Sequence, residues 1–120
     1  MTTILTVDDS ASMRQMLAFT LRSAGYEVVE ACDGLDGIEK AKANQVDAMI
    51  VDVNMPRMNG LEMISDLRKV PEYAHTPMLV LTTESGGDKK LAGRNAGATG
   101  WMVKPFVPEK LLQTLQRVIS

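Results

Sequence analysis

Short apolar runs alternate along the chain with stretches in which apolar residues recur every three or four positions. Four runs stand out: "ILTV" at Ile4–Val7, "AMIV" at Ala48–Val51, "MLVL" at Met78–Leu81 and "WMV" at Trp101–Val103. A weaker fifth, "YEVVEA", begins at Tyr26. Each has the length of a strand, and most lack the polar alternation of a half-exposed one, as expected for parallel strands covered on both faces. The stretches between them read as helices. In "SMRQMLAFTLRSAG", Met13, Met16, Leu17 and Leu21 make an apolar face and Gly25 is the stop. "GLDGIEKAKAN" carries Leu35, Ile38 and Ala41 at helical spacing, with the aliphatic stem of Lys42 at the edge of the stripe. "NGLEMISDLRKV" sets Leu61, Ile64 and Leu67 on one stripe. "PEKLLQTLQRVI" opens on Pro108, where a helix tolerates proline, and continues with Leu111, Leu112, Leu115, Val118 and Ile119. "GGDKKLAGRNAGA" is short and poor in large apolar residues, so this helix is predicted to be the least firmly packed.

The order is β-α five times over. It predicts an α/β fold, a doubly wound parallel five-stranded sheet with helices on both faces and right-handed crossovers. No linker, low-complexity tract or internal repeat divides the sequence, and residues 1–120 are expected to form one domain.

Composition narrows the function without naming it. The 45% hydrophobic and 23% charged content is that of a globular chain. A net charge of −2, with acids and bases interspersed, argues against a nucleic-acid partner held by a basic surface. No apolar run approaches the roughly 20 residues of a membrane helix, so no membrane partner is expected. The single cysteine, Cys32, has no disulfide or zinc companion; it reads as core filler in a reducing, cytoplasmic compartment. The nine methionines read mostly as packing, and the lone loop histidine, His75, is assigned no role.

The polar residues that close the strands carry the chemistry, because ligands of open α/β sheets bind beyond the carboxyl ends of the strands. The first strand runs into Asp8 and Asp9, the third into Asp52, the fourth into Thr82 and Thr83, and the fifth into Lys104. A flavodoxin-like strand order, 2-1-3-4-5, brings these ends together. Three crowded carboxylates then repel by several kcal/mol at an effective dielectric of ~20, so either one stays protonated or a cation sits among them. Hard oxygen donors in a small site favour Mg²⁺. Asp9 and Asp52 read as direct ligands, Asp8 as one acting through water, and the backbone carbonyl of Asn54 as a further donor. Asp52, central in the sheet, is the candidate nucleophile for an aspartyl-phosphate, with Lys104 neutralising the phosphoryl group and Thr82 bonding to it. Taken singly these residues have blander readings: Asp9 or Ser10 as a helix cap, Thr82 as a strand residue, Lys104 as a surface amine. Four strand ends carrying complementary chemistry tell against coincidence.

"VDDS" after the first strand, "VDVNMPRMNG" around Asp52, "LTTE" at Thr82 and "VKPF" at Lys104 resemble the receiver domain of bacterial two-component response regulators. The resemblance covers essentially the whole chain and is nearest to the stand-alone chemotaxis regulators of the CheY type. It implies a phosphoacceptor, not a conventional enzyme, that takes a phosphoryl group from a histidine kinase of the CheA type. Asp52 matches the acceptor, Asp8 and Asp9 the acidic pair that binds Mg²⁺, Thr82 the switch hydroxyl and Lys104 the family's lysine, with a cis bond to Pro105. Trp101 matches the switch aromatic, usually Tyr or Phe. Output is expected through docking to the flagellar motor switch protein or another target, on a face that includes Lys89, Lys90, Arg94 and Trp101, and the chain is expected to be a monomer. Asn54 and Glu84, each two positions past a key residue, are candidates for tuning hydrolysis of the acyl phosphate.

A phosphorelay intermediate or phosphate sink would use the same site with a different partner face. An aspartate-nucleophile phosphatase of the haloacid-dehalogenase kind would place a second Asp two residues after the nucleophile; here that position is Asn54. A flavin or nucleotide binder would want glycines in the first turn, which instead reads "DDSASM".

Overall fold

The computed structural model describes residues 2–53, 55–83 and 87–119, and for 87–90 the backbone alone. Strands β1 (Thr3–Val7), β2 (Glu27–Ala31), β3 (Ala48–Val51), β4 (Met78–Thr82) and β5 (Gly100–Val103) alternate with helices α1 (Ala11–Ser23), α2 (Gly34–Ala43), α3 (Gly60–Arg68), α4 (Gly87–Ala96) and α5 (Pro108–Ile119). A single 3₁₀ turn, Pro71–Tyr73, precedes β4. The strands pair in parallel in the order β2-β1-β3-β4-β5, as expected for a flavodoxin-like sheet.

Successive strand residues face opposite sides, so each central strand serves two cores. Ile4, Ala48, Ile50, Leu79 and Leu81 meet Leu17 and Leu21 of α1 and Leu111 and Leu115 of α5. Leu5, Val7, Met49, Val51, Met78 and Val80 meet Ala41 of α2 and Met63, Ile64 and Leu67 of α3. Full burial of each Leu, Ile or Val contributes about 1.5–3 kcal/mol, which fixes the register and with it the positions of the strand ends. Side chains set the helix starts on the ligand side: Ser10 caps α1, Asp33 caps α2, and Asn59 with Glu62 forms a reciprocal capping box on α3.

Four expectations fail in detail. Strand β5 is an edge, covered incompletely, and Val103 is 42% exposed. Met16 points outward at 49% exposure, because Leu17, Ala18 and Leu21 already fill the strip of α1 that faces the sheet. Leu35 is likewise exposed; α2 lies close to its neighbours through Gly34, Gly37 and Ala41, leaving no room for a larger residue on that strip. Cys32 is exposed rather than core filler, since β2 ends at Ala31 and the chain turns out toward the cap of α2. The thin packing of α4 is as predicted: among its described side-chain positions only Gly93 is buried. No helix among the described residues is long and apolar enough to cross a membrane.

Candidate functional site

Backbone bonds that extend the sheet place the acids. The Asp8 N–H donates to the Ala31 carbonyl (3.1 Å) and the Asp52 N–H to the Val7 carbonyl (2.8 Å), so both residues leave their strands in ladder geometry. Asp8 is 1% and Asp52 6% exposed, while Asp9 lies open at the rim. One carboxylate oxygen from each of the three lies within 4.8 Å of the others. At such a distance each pair of charges costs about 3 kcal/mol at an effective dielectric of ~20.

Lys104 answers part of that repulsion. Its Nζ donates to Asp8 Oδ2 at 2.8 Å and stands 3.5 Å from Asp52 Oδ2. Asp8 is further fixed by the Ser10 N–H on Oδ1 (2.9 Å) and by Arg14 Nη1 on its backbone carbonyl (2.6 Å). Asp52 Oδ1 accepts the N–H of Val53 at 2.8 Å. These contacts do not fully compensate. Burial, then the neighbouring charge of Asp8, pushes the Asp52 carboxyl up to about 6, against the opposing pull of Lys104 and the Val53 amide. Burial alone would lower Lys104, but its hydrogen bond to Asp8 and the charges of Asp52 and Asp8 raise it above its ordinary value. Three hard oxygen donors around one ammonium still leave excess negative charge, and this donor set fits a small divalent cation such as Mg²⁺.

The remaining predicted residues fall into two groups. Thr82 is fully buried at the end of β4, and its carbonyl accepts the Lys104 N–H (2.7 Å), which ties the hydroxyl-bearing strand end to the lysine. The Lys104–Pro105 bond is cis. Trp101 is not brought to the acids. It pairs with Val80 on the edge strand, and its half-buried indole lies against α4 at Gly93, where an added Cβ would come within 2.6 Å of the ring. Arg94 is exposed on α4. Asn54, Glu84 and the side chains of Lys89 and Lys90 lie outside the described residues.

Two features of the loop after Asp52 are not evident from the sequence pattern. Gly60 starts α3 directly against Asp52: a Cβ there would sit 2.0 Å from the Asp52 carbonyl oxygen, and its N–H donates to the Val53 carbonyl (3.0 Å). Its signal was present in the Asn-Gly pair followed by Glu62 at capping-box spacing. The other is a bidentate ion pair from Arg57 to Asp33, 24 positions earlier, for which no local pattern exists.

Residues 4–116 match the response regulator receiver domain. The chain is 38% identical to the chemotaxis protein CheY1 of Helicobacter pylori over 98% of its own length and 96% of that protein's. Among solved structures, the chemotaxis protein CheY4 of Vibrio cholerae is 52% identical with a TM-score of 0.95, each chain covered to 98%. A response regulator of Burkholderia multivorans is 48% identical with a TM-score of 0.83, covering 99% of this chain and 95% of its own. Sheet order, acidic strand ends and family match agree: the chain belongs to the response regulator receiver domain family.

Proposed function

We propose that the chain is a single receiver unit that takes a phosphoryl group onto Asp52 from the phosphohistidine of a histidine kinase and signals by docking to another protein. The observation that carries this is the convergence of Asp8, Asp9 and Asp52 around Lys104 at the carboxyl end of the sheet. In the transfer, a carboxylate oxygen of Asp52 attacks phosphorus, the phosphorus–nitrogen bond breaks, and the imidazole leaves and takes up a proton. Asp8, Asp9, Asp52 and the Asn54 carbonyl would hold Mg²⁺, which when bound supplies positive charge to the phosphoryl oxygens and relieves the repulsion among the carboxylates. Asp52 must be ionised to attack; with its carboxyl pushed up to about 6, it is mostly ionised only above that pH until a cation is added. Lys104, held within reach of both buried acids, turns to a phosphoryl oxygen, and the Thr82 hydroxyl donates to another.

Movement of Thr82 then passes to Trp101 and to the face built by α4, β5 and α5, where the exposed Arg94, together with Lys89 and Lys90, meets an acidic partner. The chemotaxis proteins among its relatives support a role in chemotaxis; on this reading the donor is a CheA-type kinase, the target the flagellar motor switch protein, and the acting form a cytoplasmic monomer. On this reading the chain assists its own phosphotransfer and dephosphorylation and is not a conventional enzyme.

Incubation with beryllofluoride or acetyl phosphate, with and without Mg²⁺, tests the site through Trp101 fluorescence. A metal-dependent change that Asp52→Asn abolishes is expected, and a change surviving that substitution rejects the acceptor assignment. Competition binding to a motor-switch peptide tests the output: no gain with the phosphate mimic would instead favour a phosphorelay intermediate or phosphate sink.

A further inference from the structure

Arg57 is the one non-glycine residue with positive φ among the described residues, at +66°. An arginine adopts that conformation at a steric cost that glycine avoids, and such outliers gather where a structure is held for a purpose. Its position is telling: it lies in the loop between Asp52 and α3, the segment that carries the acceptor.

The side chain shows what the conformation is for. Arg57 Nε donates to Asp33 Oδ2 (2.7 Å) and Nη2 to Asp33 Oδ1 (3.0 Å), a two-pronged match of guanidinium to carboxylate. Asp33 is buried, also caps α2 through the Asp36 N–H (2.8 Å), and is held below the usual carboxylate range chiefly by Arg57. One residue on, the Met58 carbonyl accepts the Gly34 N–H (3.1 Å), so side chain and backbone fasten the same stretch. Because β1 lies between β2 and β3, this fastening joins the loop after β3 to the turn after β2 across the width of the strand whose end bears Asp8 and Asp9. Among the loop's described residues Val53 is buried, but Pro56 and Arg57 are exposed and Met55 and Met58 only half-buried against the core. The Arg57 side chain is itself 56% exposed, and ion pairs with so open a partner add little to overall stability.

We infer that the Arg57–Asp33 pair is a positioning clamp for the acceptor loop, setting metal affinity and the rate of phosphoryl uptake rather than the stability of the fold. The inference rests on the phosphoacceptor reading above. Arg57→Gly removes the clamp while relieving the backbone, and Arg57→Lys keeps the charge but not the fork. Mg²⁺ affinity is read from amide chemical shifts of Val53 and Met58, phosphorylation from acetyl phosphate, and Gly34 amide exchange from the metal-free chain. Arg57→Gly is expected to weaken Mg²⁺ binding and slow phosphorylation by about tenfold, the low end for groups that orient ligands from outside. Its melting temperature should stay within about 2 °C of the parent. Gly34 exchange should rise, and Arg57→Lys should fall between the two. An Arg57→Gly chain that binds Mg²⁺ and phosphorylates like the parent overturns the clamp alone, as does one whose melting temperature collapses while Arg57→Lys matches the parent in both readouts. A parent chain that ignores Mg²⁺ and acetyl phosphate overturns the phosphoacceptor reading and the clamp together.

Discussion

The acidic end of β1 and β3 and the edge formed by β5 and α4 are built to different standards. Every residue of β3 is buried, and the helix that follows it, α3, has a complete capping box and buries Gly60, Met63, Ile64 and Leu67. Strand β5 is half-exposed to exposed throughout, and α4 has Gly93 as its only buried residue among those whose side chains are described. Both regions bring a glycine against a residue of the proposed switch, Gly60 against Asp52 and Gly93 against Trp101. In the first the neighbour is backbone in a packed sheet. In the second it is the edge of one side chain on the edge strand, set against a thinly packed helix. Under the proposed function, a firmly packed charge-bearing end beside a thinly packed face suits a population-shift switch, in which the input must not move and the output must have somewhere to go.

The same chemical change made at both glycines tests that difference, and Gly60→Ala should give the larger effect. The new methyl would lie 2.0 Å from the Asp52 carbonyl oxygen and 2.7 Å from Val51 Cγ1, so the start of α3 or the acceptor backbone must shift. A loss of about 3 kcal/mol or more is expected in urea denaturation, at the upper end for overpacking, together with loss of Mg²⁺-dependent phosphorylation. Stability within ~0.5 kcal/mol of the parent would mean that the acceptor end yields as readily as the edge.

The charges of the rigid end make a second contrast. Asp52 is raised from 3.8 unfolded to about 6 folded, so between those values the folded chain holds a proton that the unfolded chain has released. By linkage the metal-free protein loses stability as pH rises through that window and stays less stable above it. The displacement corresponds to ~3 kcal/mol at 1.36 kcal/mol per unit. Asp52→Asn, which keeps the shape without the charge, should therefore stabilise the metal-free chain by about 2 kcal/mol at pH 7.5 and by almost nothing near pH 4. Mg²⁺ at ten times its dissociation constant should add about 1.4 kcal/mol to the parent and little to the variant, narrowing the gap. Paired melting curves at the two pH values check both signs; an Asn variant less stable than the parent at pH 7.5 would show that the acids are already balanced by Lys104.

These contrasts also mark what could be read from residues alone. The meeting of Asp8, Asp9, Asp52 and Lys104 was legible because they end apolar runs, and a parallel sheet gathers such ends whatever the helices do. The outward turn of Met16 and Leu35 and the exposure of Cys32 were not, since each depends on which strip of a helix or turn its neighbours leave free. The Arg57–Asp33 pair is hidden for a related reason: it joins two loops that meet only after three strands have taken their order. Close approach at Gly93 needed knowledge of where the Trp101 ring lies.

Gly93→Ala should have the smallest effect on stability and the most informative one on the switch. Alanine in a helix interior gains about 1 kcal/mol over glycine, while the methyl would meet Trp101 Cζ3 at 2.6 Å and Cε3 at 2.7 Å. Relief comes from the indole, which can rotate toward solvent on an edge strand at the expense of part of its packing against the α2–α3 core. The opposing terms should leave the melting temperature within about 2 °C of the parent. Trp101 emission should shift to the red, and its response to beryllofluoride should shrink because the ring has lost the surface it rests on. A loss of stability matching that of Gly60→Ala would show the indole to be held as firmly as the acceptor, and Trp101 would then be part of the rigid end rather than the element that moves.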